Sequence, residues 1–259
     1  MERDTREEWF DPDLKLAVTL ADVTGAAQEL VRGHLSGPVA GQCLARALAA
    51  AALLGAETSM AGECVSIQAR CTGPLGGYNV ECTADGGLRG YTEKKILDDF
   101  DGLGPADDAA VLGDVRLQVT RSVPGRILSQ GIATSLDGYL SDSLQRRARI
   151  FLEAEVTDEL EVLGARGALV EAMPDSPLAG VTDRRPRSLA VASRTLLKAL
   201  GAPHAKLRRS TPLRFACRCS PDRAAQMLSA LSDEERKSLP PTVDITCHMC
   251  GRTFTVKTK

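Results

Sequence analysis

Phe215-Ala216-Cys217-Arg218-Cys219-Ser220 and, after 27 residues beyond Cys219, Cys247-His248-Met249-Cys250-Gly251 decide how this chain is read. Four cysteines in two close pairs read as one metal site. A Cys-X-Cys turn and a Cys-X-X-Cys turn each present two thiolates on a tight bend, and Zn²⁺ takes four soft ligands in a tetrahedron at about 2.3 Å. Gly251 directly after Cys250 supplies the positive-φ freedom that lets the second knuckle close. Cys217, Cys219, Cys247 and Cys250 are therefore the candidate ligands of one Zn²⁺ per chain.

The residues around the pairs fill in a small module over 215–259. Ser220 is a good N-cap and Pro221 a good first-turn residue, so a helix is expected with Ala224, Met227, Leu228 and Leu231 inward. Ser232-Asp-Glu-Glu235 is a capping-box pattern for a second short helix, which Pro240-Pro241 ends. Val243 to Cys247 and Thr253 to Val256 read as strands flanking the Cys-X-X-Cys turn. So little apolar surface is available that the module should depend on its metal, because zinc binding free energy of about 10 to 16 kcal/mol in small modules is also folding free energy.

Working back toward the N-terminus, the formal charge of −2 hides an asymmetry. Residues 1–183 hold 16 basic against 29 acidic side chains, residues 184–214 hold nine basic and no acidic ones, and residues 215–259 hold seven against five. The basic stretch from Arg184 to Arg214 is suited to nucleic acid or to docking on the acidic part of its own chain. The intramolecular reading is preferred, because no aromatic residue precedes Phe215 in the stretch on which a base would stack. Leu189 to Leu200 has helical apolar spacing and stops at Gly201-Ala202-Pro203, so 181–214 is expected to be a linker holding one basic amphipathic helix.

Residues 1–180 are expected to form an α+β domain around an antiparallel or mixed sheet with packed helices. Leu14 to Leu20 reads as a strand, and Asp22 to Leu35 and Pro38 to Ala56 as helices. From Cys64 the pattern changes to alternation. Val65, Ile67, Ala69 and Cys71 share one face and Tyr78, Val80 and Cys82 the next, with glycine turns at Gly73 to Gly77 and Asp85 to Gly87 before Leu88 to Glu93. Cys43, Cys71 and Cys82 read as small buried hydrophobes, while Cys64 falls on the polar face. Residues 98–113 look like an exposed loop. Val115 to Thr120, Arg126 to Ile132, Ile150 to Val156 and Ala168 to Met173 are further strands, and Ser141 to Ala148 a short helix.

With 259 residues and 43% hydrophobic side chains the chain can bury a full core, built from Ala, Leu and Val because aromatics are only 3%. The N-terminal stretch Met1 to Phe10 is charged, and the most apolar run, Cys43 to Ala56, reads as too short to span a bilayer and contains Arg46. A soluble cytoplasmic protein is expected, where eight cysteines argue for metal or thiol chemistry and against a disulfide framework. An enzyme is not expected. Four thiolates close the zinc shell, and no Walker loop, Gly-X-Ser-X-Gly or His-Glu-X-X-His is present. His34 and His204 read as caps or surface residues, and His248 as a spacer.

Three roles for the thiolates stand open on the residues alone: a structural staple, a zinc ribbon that contacts nucleic acid, and a redox sensor that ejects zinc on oxidation and unfolds. All four ligands are oxidisable, and Arg218 and Arg252 beside them favour thiolates. Adjacency suggests Cys217 with Cys219 and Cys247 with Cys250 as bonded pairs once metal leaves.

The motifs resemble the zinc-containing, redox-regulated heat shock protein 33 family of bacterial chaperones. The most specific parts are Phe215 to Ser220, Asp233-Glu234-Glu235 and Val243 to Phe254, joined by Gly73 to Gly77, Leu88-Arg89-Gly90-Tyr91 and Ala172-Met173-Pro174. Leu144, Pro221-Asp222, His248-Met249 and a short basic linker depart from the family's pattern. The resemblance implies an ATP-independent holdase, zinc-bound and inactive when reduced, in which oxidation forms two disulfides, releases zinc, loosens the linker and exposes apolar surface to unfolded client proteins, often as a homodimer.

Overall fold

The longest apolar stretch of the chain becomes its central helix. In the computed structural model, which describes residues 4–103, 107–178, 181 and 185–258, α1 (Thr24–His34) is followed by α2 (Pro38–Leu54), and 14 of the 17 residues of α2 are buried. A helix apolar all round needs cover on every side, and two sheets supply it. The expectation that this run is too short to cross a membrane is corrected. Pro38–Glu57 is long and apolar enough by length and composition, but 83% of its apolar window is buried inside the protein, so packing takes the place that lipid would have.

One sheet runs β10 (Lys206–Pro212), β1 (Thr5–Asp11), β2 (Leu16–Asp22), β9 (Val162–Ala172), β8 (Arg147–Val156), antiparallel throughout. The other runs β11 (Arg214–Phe215), β5 (Gly87–Thr92), β4 (Gly77–Thr83), β3 (Cys64–Cys71), β6 (Val115–Val123), β7 (Arg126–Ala133), antiparallel except for the parallel pair β11–β5. A separate hairpin, β12 (Thr242–Thr246) and β13 (Thr253–Lys257), flanks the second cysteine pair. The architecture is thus α+β with mainly antiparallel sheets. Alternation along β9 sends Ala165 and Leu169 toward α2 and Ala168, Val170 and Ala172 to the opposite face.

Three strands escape the sequence reading, the two-residue β11 and the longer β1 and β10. β1 is charged, yet Arg6 is 1% exposed, donates to the Ala52 carbonyl at 3.1 Å and pairs with Glu8 at 3.4 Å. β10 lies inside the expected linker. Its Arg209 donates to Glu8 at 2.8 Å, and Arg208 sits 5.5 Å over the Phe10 ring, so complementary charge seats a strand with little β-propensity. Arg184, the first residue of the basic stretch, lies outside the described residues. The expected linker helix is shorter, α5 (Ser193–Ala199), and it is no free rod. Leu189, Leu196, Leu197 and Leu200 bury themselves with Trp9, Leu16, Val18, Leu20 and Val170 on the face of the first sheet turned away from α2.

Other boundaries move for local reasons. The stretch read as loop carries α3 (Asp108–Leu112), which Asp107 caps by accepting from the Ala109 N–H and which buries Val111; its residues 104–106 lie outside the described ones. The helix expected at Ser141 to Ala148 sits earlier, as α4 (Leu136–Gly138) and a wide turn over Tyr139–Ser143. Tyr139 and Leu140 anchor it in the core, and Gln145, at φ 55°, ends it so that β8 begins at Arg147.

Leu48 is fully buried in α2 and Met227 is 65% exposed. Leu48→Ala is expected to destabilise the protein by about 2–5 kcal/mol and Met227→Ala by less than about 0.5 kcal/mol, both read from chemical denaturation of the metal-loaded protein.

Candidate metal centre

The first knuckle grows out of the second sheet. The Arg214 N–H donates to the Gly86 carbonyl at 3.0 Å and the Ala216 N–H to the Leu88 carbonyl at 2.9 Å, which fixes β11 beside β5 and delivers Cys217 and Cys219 to its end. Ser220 then caps α6 (Pro221–Ser229) by accepting from the Arg223 N–H, as its sequence predicts. Met227 corrects the expected inward set: it is exposed, Ala224 is buried, and Leu228 and Leu231 are half-buried. Ser232 and Glu235 form the expected capping box at the start of α7 (Asp233–Ser238). The second knuckle closes through three backbone bonds, Cys247 N–H to Arg252 O at 2.8 Å, Cys250 N–H to Cys247 O at 3.3 Å and Gly251 N–H to Cys247 O at 2.8 Å, with Gly251 at φ 72°.

The four sulfurs lie within 4.8 Å of one another. Cys217 Sγ is 3.7 Å from Cys247 Sγ, and Cys219 Sγ is 3.5 Å from Cys250 Sγ, so both contacts bridge the two knuckles. A tetrahedron of sulfurs each about 2.3 Å from a central ion has edges of about 3.8 Å, and the cluster fits one zinc-sized ion with all four positions filled by thiolate. Cys250 is buried and the other three are half-buried. Burial opposes ionisation of Cys217, but the Cys219 N–H and the neighbouring sulfurs outweigh it and bring that thiol down to about 7. Burial holds Cys219 and Cys250 above the usual thiol range. A cluster with one sulfur already prone to ionise and three more crowded against it is suited to a divalent cation, whose charge offsets the repulsion among the thiolates.

Among the described residues, no other group of three or more His, Cys, Asp or Glu side chains is arranged to hold a metal. Cys43 and Cys82 are buried, as read, but Cys71 is only half-buried. Cys64 is buried despite its place on the polar face, and burial beside Glu81 pushes its thiol up to about 12.

Two of the histidines do more than their sequence surroundings suggest. His34 stands at the end of α1, half-buried, with Nε2 2.9 Å from the Gly90 carbonyl, and burial together with Lys95 lowers its pKa to about 4. His248 is a spacer between two ligands, but its ring meets Tyr91 edge-on at 3.9 Å. The Gly90 N–H donates to the Met249 carbonyl at 3.2 Å. These contacts dock the second knuckle on β5 and on the end of α1, where backbone meets backbone so closely that a Cβ at Gly33 would lie 2.7 Å from the Cys250 carbonyl oxygen. His204 is exposed. The one available clue is Leu88 to Tyr91, whose local pattern gives no sign of its distant partner.

Four cysteines placed to hold a metal ion, built onto an α+β core with two mainly antiparallel sheets, define the class of protein. The chain belongs to the Hsp33 protein family, whose model matches residues 8–257. It is 30% identical to a 33 kDa chaperonin of Thermus thermophilus, over 92% of this chain and 80% of that one. It is 28% identical to the 33 kDa chaperonin of Symbiobacterium thermophilum, over 90% and 88% of the two chains. The crystal structure of the 33 kDa chaperonin, a heat shock protein 33 homologue, from Thermotoga maritima superposes with a TM-score of 0.82 at 16% identity, over 99% of this chain and 96% of that one, which is a likeness of fold.

Gly251 and Gly125 both adopt positive φ, at 72° and 79°, but only at Gly251 does an added Cβ meet another backbone, that of Gly33. Gly251→Ala is expected to speed transfer of bound zinc to a colorimetric chelator, whereas Gly125→Ala costs about 1 kcal/mol of stability and leaves zinc transfer unchanged. Equal transfer rates in the two variants would contradict the docking of the knuckle.

Proposed function

We propose that the protein is a redox-regulated, ATP-independent holdase in which Cys217, Cys219, Cys247 and Cys250 are at once the zinc ligands and the redox-active groups. In this reading residues 1–180 are the chaperone core, 181–214 the connector and 215–259 the switch. The observation that carries it is the cluster itself: four sulfurs at tetrahedral spacing, on a module with almost no apolar core, joined through β11 and β10 to the α5 segment that covers the protein's own apolar surface. Membership of a family of chaperonins supports the holdase activity.

When bound, zinc supplies a bond between the two knuckles. Oxidation acts on that bond. Within each pair, Cys217 with Cys219 and Cys247 with Cys250, two thiolates give two electrons to one hydrogen peroxide and become one disulfide, while the peroxide takes up two protons from solvent, its O–O bond breaks and it leaves as two waters. Sulfurs shared out this way leave no link between the knuckles, whereas disulfides across the pairs would staple the module shut. The freed first knuckle releases β11. The chain then peels back through Leu213, whose N–H donates to the Asp4 carbonyl, into β10. Detachment of β10 and α5 uncovers Trp9, Leu16, Val18, Leu20 and Val170, an apolar face suited to unfolded clients. That face also offers a surface on which two oxidised copies would pair. The protein is expected to act in the cytoplasm, where thiols are held reduced until stress.

The test is light scattering from a thermally aggregating client. Reduced, zinc-loaded protein is expected to leave aggregation unchanged, and protein treated with peroxide at raised temperature to suppress it as zinc appears in solution. Equal suppression by both forms would replace the switch with a constitutive chaperone holding structural zinc.

A further inference from the structure

Where the metal module meets the core, three donors converge on one carboxylate oxygen. Glu81 of β4 is 18% exposed. Its Oε2 accepts from Arg89 Nε at 2.7 Å and lies 2.6 Å from an Arg89 terminal nitrogen. The same oxygen lies 3.1 Å from an Arg218 terminal nitrogen and 3.8 Å from the Cys64 thiol. Glu81 and Arg89 are direct register partners on adjacent strands, which aims both side chains to one face of the sheet. Arg218 comes from the other side, as the residue between Cys217 and Cys219. Arg89 follows Leu88, whose carbonyl accepts from the Ala216 N–H at 2.9 Å, so its strand runs beside the first knuckle.

The geometry points to Glu81 as a positioning residue of the metal centre: its carboxylate holds Arg89 and Arg218 on either side of the first knuckle and so controls how readily that knuckle gives up its metal. The inference rests on reading the four thiolates as a zinc site. Groups behind the ligands that orient them typically matter 10- to 100-fold in metal affinity, and Arg89 is 16% exposed, sheltered enough for its planar fork to keep one orientation. Arg218, at 54% exposed, has no such shelter and depends on Glu81 for its place.

Simple charge counting predicts the opposite sign, which makes the inference sharp. A zinc ion with four thiolates carries net negative charge, and Glu81 adds another negative charge close by. Loading zinc displaces the thiol protons and leaves a centre more negative than the empty one, so if Coulomb repulsion dominated, neutralising Glu81 would strengthen zinc binding. If orientation of the arginines dominates, neutralising it weakens binding. Bonds at 2.6 to 3.1 Å to two guanidiniums, in a partly sheltered position, favour orientation.

The experiment uses the reduced, zinc-loaded, full-length protein and follows zinc transfer to a colorimetric chelator without oxidant, with thermal melting of the core as a second reading. Glu81→Gln keeps the shape and one acceptor, so the sheet is expected to melt as in the parent. It is expected to lose zinc about tenfold faster, and the double variant Glu81→Gln with Arg218→Ala no faster than the quicker single one, because both remove the same restraint. Glu81→Gln with slower or unchanged zinc loss would overturn the inference, as would fully additive effects. Zinc-free parent protein would overturn the zinc reading along with it, whereas zinc-replete parent and indifferent variants would overturn this inference alone.

Discussion

Four sulfurs within 4.8 Å of one another are the constraint on which the C-terminal module of this protein depends. Among the described residues of 215–258 only Ala224, Cys250 and Val256 are buried apolar side chains. That is far too little apolar area to fold a module in water, and two short capped helices and a hairpin add local order without a core to join them. A metal bond worth about 10 kcal/mol or more in modules of this size would fill the gap. What the cluster holds is more than itself, since the first knuckle continues backward through β11 on one sheet and, after Leu213, through β10 on the other.

The docking of the module on the core rests on few contacts. It includes backbone hydrogen bonds, the Arg218–Glu81 ion pair, an edge-on ring contact between Tyr91 and His248, and the close passage of Gly33 and Gly251. Each hydrogen bond contributes about 0.5–1.5 kcal/mol net, so the contact is stable while the module is folded and weak once it is not. The apolar face under α5 is different in kind, a continuous cluster from Trp9 to Ala205 that is costly to expose and therefore worth covering. In the proposed switch, a covalent event at the sulfurs would bias an element with two arrangements, with the exposed face as the readout.

Much of this is legible in the sequence, and the exceptions share a cause. The cysteine spacing, the Ser220 cap, the Ser232–Glu235 box and the alternating strands β3, β4 and β5 declare themselves because each depends on residues a few positions apart. β1 and β10 do not. They are charged strands that pair with each other at the edge of a sheet, and each looks unlike a strand until its partner supplies the opposite charge. His34, His248 and Glu81 give no local sign of their roles for the same reason: their partners, Gly90, Tyr91 and Arg218 respectively, are far away in sequence. The π-type turn at Tyr139–Ser143 lies earlier than the sequence suggests because its anchors, Tyr139 and Leu140, are set by the core and not by helical periodicity.

The central claim is that metal at the four thiolates holds β11 and β10 in place. Amide hydrogen exchange on reduced protein, with zinc bound and after its removal by a chelator, tests this most directly and needs no client or oxidant. Exchange over Lys206–Phe215 and over the Gly87–Thr92 strand is predicted to accelerate on zinc removal, while Pro38–Leu54 at the centre of the core stays protected. Unchanged protection of Lys206–Phe215 in the metal-free protein would contradict the account, because the strands would then be held by the sheets alone.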